Sequence, residues 1–256
     1  MLNLSLATLL DQFYSLIWPL LRITAFMVFS SLFSVRAINI RIRVVIALVL
    51  TVFVSMQIDI PLIDPITVKG LEVVFQQIFM GFAMGMIMQI ATASTVIAGQ
   101  VVSGSMGLTM ANMIDPTLGN VPVIAGLFTI LSTLIFMTTG GHLIVFGILL
   151  ESFRQFPIGA SFWSQELLGK MISWSALMYL AGLLIALPVV ITLLFVNIGL
   201  GFVSRSAPSL NIFSVGFPAM VLSGFAVLWL AVPSIVERIN WTWVRSFDQL
   251  RSMMLN

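Results

Sequence analysis

Apolar residues in this chain come in long unbroken stretches, separated by short polar clusters that carry arginine, aspartate, glycine and proline. No charged side chain lies between Glu72 and Asp115, between Lys170 and Arg205, or between Arg205 and Glu237. Between Asp115 and Glu151 the single ionisable group is His142. Each stretch exceeds the roughly 20 apolar residues that carry an α-helix across a bilayer. A shorter one runs from Arg43 to Asp59, and another from Asp11 to Arg36 is interrupted only by Arg22. The pattern predicts six helical spans, at about 12–35, 43–60, 71–98, 121–150, 171–203 and 212–236. The expected fold class is all-α, an integral membrane protein.

The connections carry the turn chemistry. Arg36, Arg41 and Arg43 lie between the first two spans, and Asp59, Pro61, Asp64 and Pro65 between the second and third. Glu151 to Lys170 is the longest polar connection, marked by Pro157 and Gly159. The arginine trio favours a cytoplasmic first loop, whereas Arg238, Arg245 and Arg251 near the C-terminus favour the same side by the same rule. Strict alternation of six spans cannot satisfy both, so charge counting alone leaves the orientation open.

Composition agrees with the pattern. Hydrophobic residues make up 60% of the chain and charged residues 8%, against roughly a quarter charged in a soluble domain. Too little charge remains to cover a globule, so the outer surface faces lipid or apolar protein. The net charge of +2 is too small to point to nucleic acid. With no cysteine and one histidine, thiolate sites, disulfides and multi-histidine metal centres are excluded. No cleavable leader is expected, since the first dozen residues lack a basic n-region.

Within this frame several constellations stand out. Met80, Met84 and Met88 recur at helical spacing and share one face of the third span, with Gly81 and Gly85 as a small-xxx-small pair beside them. Thioethers suit a surface that repacks around a partner, and equally serve as filler between helices. The segment 99–119, containing Gly104, Met106, Gly107, Met110, Met113, Asp115 and Pro116, is too apolar for a solvated loop and too glycine-rich for a stable helix. Two placements accommodate it: a re-entrant or pore-lining element, or a loop on the membrane surface. Arg205, Pro208, Asn211, Phe213 and Pro218 mark the turn between the last two spans, read as a hairpin tip with unusual apolar content.

Arg22 inside the first span needs a partner or water; Glu72, Asp115 or a polar interface are the candidates. Pro188 is expected to kink the fifth span. Trp241 and Trp243 fit interfacial anchors. His142 reads as a proton relay or, more plainly, as a hydrogen-bonded histidine at a helix turn. No nucleophile elbow, phosphate loop or paired carboxylates appear, so neither a catalytic site nor a cofactor is expected.

The unusual segments carry a resemblance. Gly99-Gln100, Met106-Gly107-Leu108 and Asp115-Pro116 resemble the "GQ…MGL…DP" stretch of the flagellar biosynthetic protein FliR family. Gly140-Gly141-His142, Ser152-Phe153 and Pro157-Ile158-Gly159 look like its "GGH…SF…PxG" turn, and Arg205 to Pro218 is similar to its "RxAPQxNxFxVGxP" signature. Ser209 stands where that signature has glutamine, and Ala219 where a basic residue is expected.

The resemblance implies a non-enzymatic export-gate subunit of a type III secretion apparatus in the bacterial inner membrane, raised toward the periplasm. It implies assembly with FliP-like and FliQ-like subunits and a FlhB-like protein around exported unfolded flagellar chains. It also implies a FliP-like portion over 1–165, a FliQ-like hairpin over 166–256 and a plug over 99–119. The tip at Arg205–Pro218 would then face the cytoplasm. Two rivals remain at this stage: a proton-coupled small-solute transporter, and the virulence-type counterpart of the same gate.

Overall fold

The structure is a computed structural model that describes residues 6–30, 39–108, 123–160, 165–206 and 212–254, with the side chains of 6–12, 165–168 and 212–215 excepted. The described residues form helices and turns without strands. The helices are α1 (Leu6–Phe29), α2 (Ile40–Ser55), α3 (Val68–Ser105), α4 (Val123–Thr138), α5 (Gly141–Gln155), α6 (Gln165–Ser206) and α7 (Ile212–Ser252). Three of them, α3, α6 and α7, are long and apolar enough to cross a bilayer, and α4 with α5 counts as a fourth, broken span. The chain is an all-α membrane protein.

Local chemistry sets the helix ends. Asn39 caps α2, its side chain accepting from the amide of Arg41 at 3.3 Å. Thr67 caps α3, its hydroxyl accepting from the amide of Gly70 at 3.1 Å and donating to the Asp64 carbonyl at 2.8 Å. The expected fourth span is interrupted. Gly140 adopts φ +69°, a conformation that side-chain-bearing residues avoid, and with it the helix ends and a new one begins at Gly141. The Ile135 carbonyl keeps its bond from the Thr139 amide at 3.0 Å, and the Thr139 hydroxyl reaches the next carbonyl, that of Phe136, at 3.2 Å, satisfying part of the severed turn.

Two compact units are formed. The first comprises Met1–Ile90, Gly140–Ser175 and Arg245–Asn256. There α1 packs on α2 and also meets the small residues of α3. A Cβ on Gly85 would stand 2.8 Å from Phe29 Cβ and 3.0 Å from the Phe26 carbonyl oxygen. Gly81 faces Ala25 and the Phe26 amide just as closely. The close-approach face read from the sequence is therefore occupied by α1 of the same chain. Met80, Met84 and Met88 are buried beside it.

The second unit comprises Ala91–Thr139 and Ala176–Val244. In it α3 again carries the close contacts: Gly99 abuts Ala125 of α4, and a Cβ on Gly182 of α6 would lie 2.9 Å from the Ser94 carbonyl. Lipid tails compete with apolar side chains on equal terms, so such backbone approach is what holds helices together in a membrane. Along α7 the positions Met220, Gly224, Leu228, Ile235, Ile239 and Trp243 form one buried stripe. Trp243 is not an interfacial anchor: its indole donates to Ser132 of α4 (3.1 Å to Oγ, 3.2 Å to O), and its ring stacks obliquely on Phe136 at 4.8 Å.

The most apolar window of α3 is 61% buried, against 22% for α6 and for α7. Beyond Leu193, α6 buries no residue up to its end at Ser206, although Leu194, Phe195, Ile198 and Phe202 are all apolar. Pro188 lies within a continuous α6, and the Thr192 hydroxyl donates to its carbonyl at 2.8 Å.

Candidate functional site

The glycine-rich segment 99–119 starts inside α3, whose helix runs to Ser105 and takes in Gly99 and Gly104, so the expectation of too much glycine for a helix fails over 99–105. The end of α3 that follows is set by local bonds. The Leu108 amide donates to the Ser103 carbonyl at 3.1 Å, and the Gly107 amide to the Gly104 carbonyl at 3.0 Å. Gly107 has φ +75°. This pair of bonds around a left-handed glycine is the Schellman arrangement, which satisfies the last helical carbonyls while turning the chain away. A glycine-rich stretch by itself suggests backbone freedom. At Gly107 the structure instead uses glycine to fix a direction.

Met106 is completely buried, and its side chain lies against Gly224 of α7. A Cβ at Gly224 would fall 2.6 Å from Met106 Cε, 2.7 Å from Cγ and 3.1 Å from Sδ. Cγ sits near the root of the side chain, so a swing of the tip alone cannot relieve that contact. Met220 and Leu228, one helical turn to each side of Gly224, are buried too. The result is a knob on α3 set into a hole on α7.

Beside this joint opens a cleft of about 410 Å³. Ser105 and Gly107 of the α3 end, Asn197 and Gly201 of α6, and Gly216 and Phe217 of α7 are among its lining. Gly104 and Gly201 have open space where a Cβ would be. Among the described residues the cleft's lining carries no acid, base or metal-ligating cluster, and no group of three His, Cys, Asp or Glu residues suited to a metal occurs.

A second polar constellation lies in the first unit. Arg22 is 1% exposed. Its guanidinium donates to Gln77 Oε1 at 2.8 Å, to the Ser152 carbonyl at 2.8 Å and hydroxyl at 3.2 Å, and to the Phe156 carbonyl at 3.0 Å. Its cationic carbon lies 4.1 Å over the Phe153 ring. The hydrogen-bond acceptors are neutral. Ser152 and Phe156 carry carbonyls from the last turn of α5, the negative end of a helix, so the arginine serves as a C-terminal cap there. Of the candidates read from the sequence, Glu72, Asp115 or a polar interface, the described residues supply the polar interface: two carbonyls, a hydroxyl and an amide oxygen.

The remaining sequence-read positions divide as follows. Gly104, Met106 and Gly107 meet at the joint and its cleft, while Met110, Met113, Asp115 and Pro116 lie outside the described residues. Arg205 is exposed in the last turn of α6, and Pro208 and Asn211 lie outside the described residues. Phe213 falls in the first turn of α7, and Pro218 falls within that helix rather than in a turn. His142 Nδ1 is buried with no hydrogen-bond partner among the described groups. Sequence reasoning missed Gly224 and Asn197. Gly224 was legible in principle, as the small member of Met220-x3-Gly224-x3-Leu228 on one helix face.

Comparison with known proteins adds the family. The profile of "Bacterial export proteins, family 1" matches residues 13–245. The chain is 33% identical over 245 residues to the "Flagellar biosynthetic protein FliR" of Pectobacterium carotovorum subsp. carotovorum, covering 95% of this chain and 93% of that one. It is 32% identical to the protein of that name from Escherichia coli strain K12, covering 85% and 84% of the two chains. It is 28% identical to that of Bacillus subtilis strain 168, covering 96% and 97%.

Proposed function

From the premise that this chain belongs to the bacterial export proteins, family 1, we propose that it is a non-enzymatic subunit of the export gate of a flagellar type III secretion system. One observation carries the reading: near-full-length similarity to several proteins each named for flagellar biosynthesis. The alternatives of a proton-coupled transporter and of a virulence-type gate have no counterpart among those names.

Among the described residues none of α6 beyond Leu193 is buried, although Leu194, Phe195, Ile198 and Phe202 are apolar, which supports a chain finished by neighbours. FliP-like and FliQ-like subunits and a FlhB-like protein are the partners the resemblance implies. Residues 1–165 would correspond to the FliP-like portion and 166–256 to the FliQ-like hairpin. The bacterial inner membrane is the site of action, with the assembly raised toward the periplasm and the turn at Arg205–Asn211 on the cytoplasmic side. Sealing of the resting channel falls to the segment after Leu108, with Met110, Met113, Asp115 and Pro116.

Deleting the gene tests the reading. The deletion strain is expected to lose swimming and to stop releasing flagellar subunits into the medium, and a plasmid copy is expected to restore both. Purification of a tagged copy in mild detergent is expected to bring down other small hydrophobic proteins. A deletion strain that still builds flagella would overturn the assignment.

A further inference from the structure

Three observations converge on the last turn of α3. Its carbonyls are closed off by the Schellman bonds at Gly107, so the chain leaves in one direction. Met106 is fully buried. Its side chain from Cγ to Cε lies along a notch made by the missing side chain of Gly224. A flexible thioether would serve a moving seal if it were exposed; enclosed on all sides, it is a fastener. Packed interiors switch between discrete arrangements and do not slide by fractions.

We infer that Met106 and Gly224 form a fixed joint that holds the end of α3, as far as Leu108, on α7 throughout export. Met106 is then a positioning residue rather than part of the seal. The inference rests on the export reading only for what happens during transport; the joint itself is a property of the folded chain.

The chain has no cysteine, which makes the test clean. With Met106→Cys and Gly224→Cys together, two small side chains replace the knob and face the former hole. Membranes carrying the assembled protein are oxidised, then denatured and treated with a polyethylene-glycol maleimide. Oxidation is expected to reduce labelling at least tenfold through an intrachain disulfide, while export by the oxidised cells stays within twofold of the same cells kept reduced. Persistent labelling would mean the joint is open, and export arrested by oxidation but restored by reductant would mean it has to open; either overturns the inference. A second arm uses size. Gly224→Leu is expected to cut recovery of the complex about tenfold, and adding Met106→Ala is expected to restore most of it; no restoration also counts against the joint. Labelling and recovery are read without reference to flagella, so they stand even if the deletion strain swims.

Discussion

The amide of Gly107 donates to the carbonyl of Gly104 across 3.0 Å, and the glycines at the two ends of that bond have opposite requirements. Gly107 needs a positive φ, whereas Gly104 is helical with open space where a Cβ would point. Gly107→Ala is expected to destabilise the α3 end by about 1–2 kcal/mol, and Gly107→Asn by less, since asparagine tolerates that conformation. Gly104→Ala should be neutral or stabilising by about 0.5–1 kcal/mol. Thermal unfolding of the detergent-purified protein separates the two; equal effects at both positions would contradict the geometry.

Arg22 joins α1 to α3 and to the end of α5. Replacing it with methionine leaves buried acceptors unmet at about 1–3 kcal/mol each, and also removes the contact with Phe153. Folded yield of Arg22→Met should therefore collapse. Arg22→Lys is expected to be intermediate, because an ammonium cannot reproduce the planar fork. Ser152→Ala removes the 3.2 Å contact from Arg22 and the hydroxyl's own 2.6 Å bond to the Leu149 carbonyl, and should cost about 1–2 kcal/mol. If Ser152→Ala proved as damaging as Arg22→Met, the carbonyl cap would not be the arginine's main role.

The Gly85 approach to Phe29 makes a sharper prediction than the sequence did. The spacing of Gly81 and Gly85 says only that some helix approaches closely there. Because the neighbour is α1 of the same chain, Gly85→Leu should already raise protease sensitivity when the chain is expressed without partners. Gly126→Ala, with nothing within 4 Å of the added carbon, is the control expected to leave digestion unchanged.

The apolar pattern located the helices and marked Met80, Met84 and Met88 as one buried face, because burial along a helix leaves a periodic trace. It could not say which helix covers that face, since small residues signal that something approaches and not what. The acceptors of Arg22 were illegible for a simpler reason: every residue has a carbonyl, and those of Ser152 and Phe156 carry no mark in the sequence. Trp243 was misread because a tryptophan near the end of a hydrophobic run looks the same whether its indole reaches water or Ser132. At Gly140-Gly141 the signal was present, but the apolar residues on both sides outweighed it.

The Arg22 cluster also places a clock on biosynthesis. Gln77 follows Arg22 by 55 residues and Ser152 by 130. At about 5–20 residues per second the last acceptor, Phe156, 134 residues on, is made only some 7–27 s after Arg22. A charge buried without partners is far costlier than one left in water, so Arg22 has no dry place before its acceptors arrive. The nascent α1 therefore settles in stages, first beside Gln77 of α3 and finally when the end of α5 leaves the ribosome. Speed of translation between these points becomes part of how the N-terminal third of the chain finds its place.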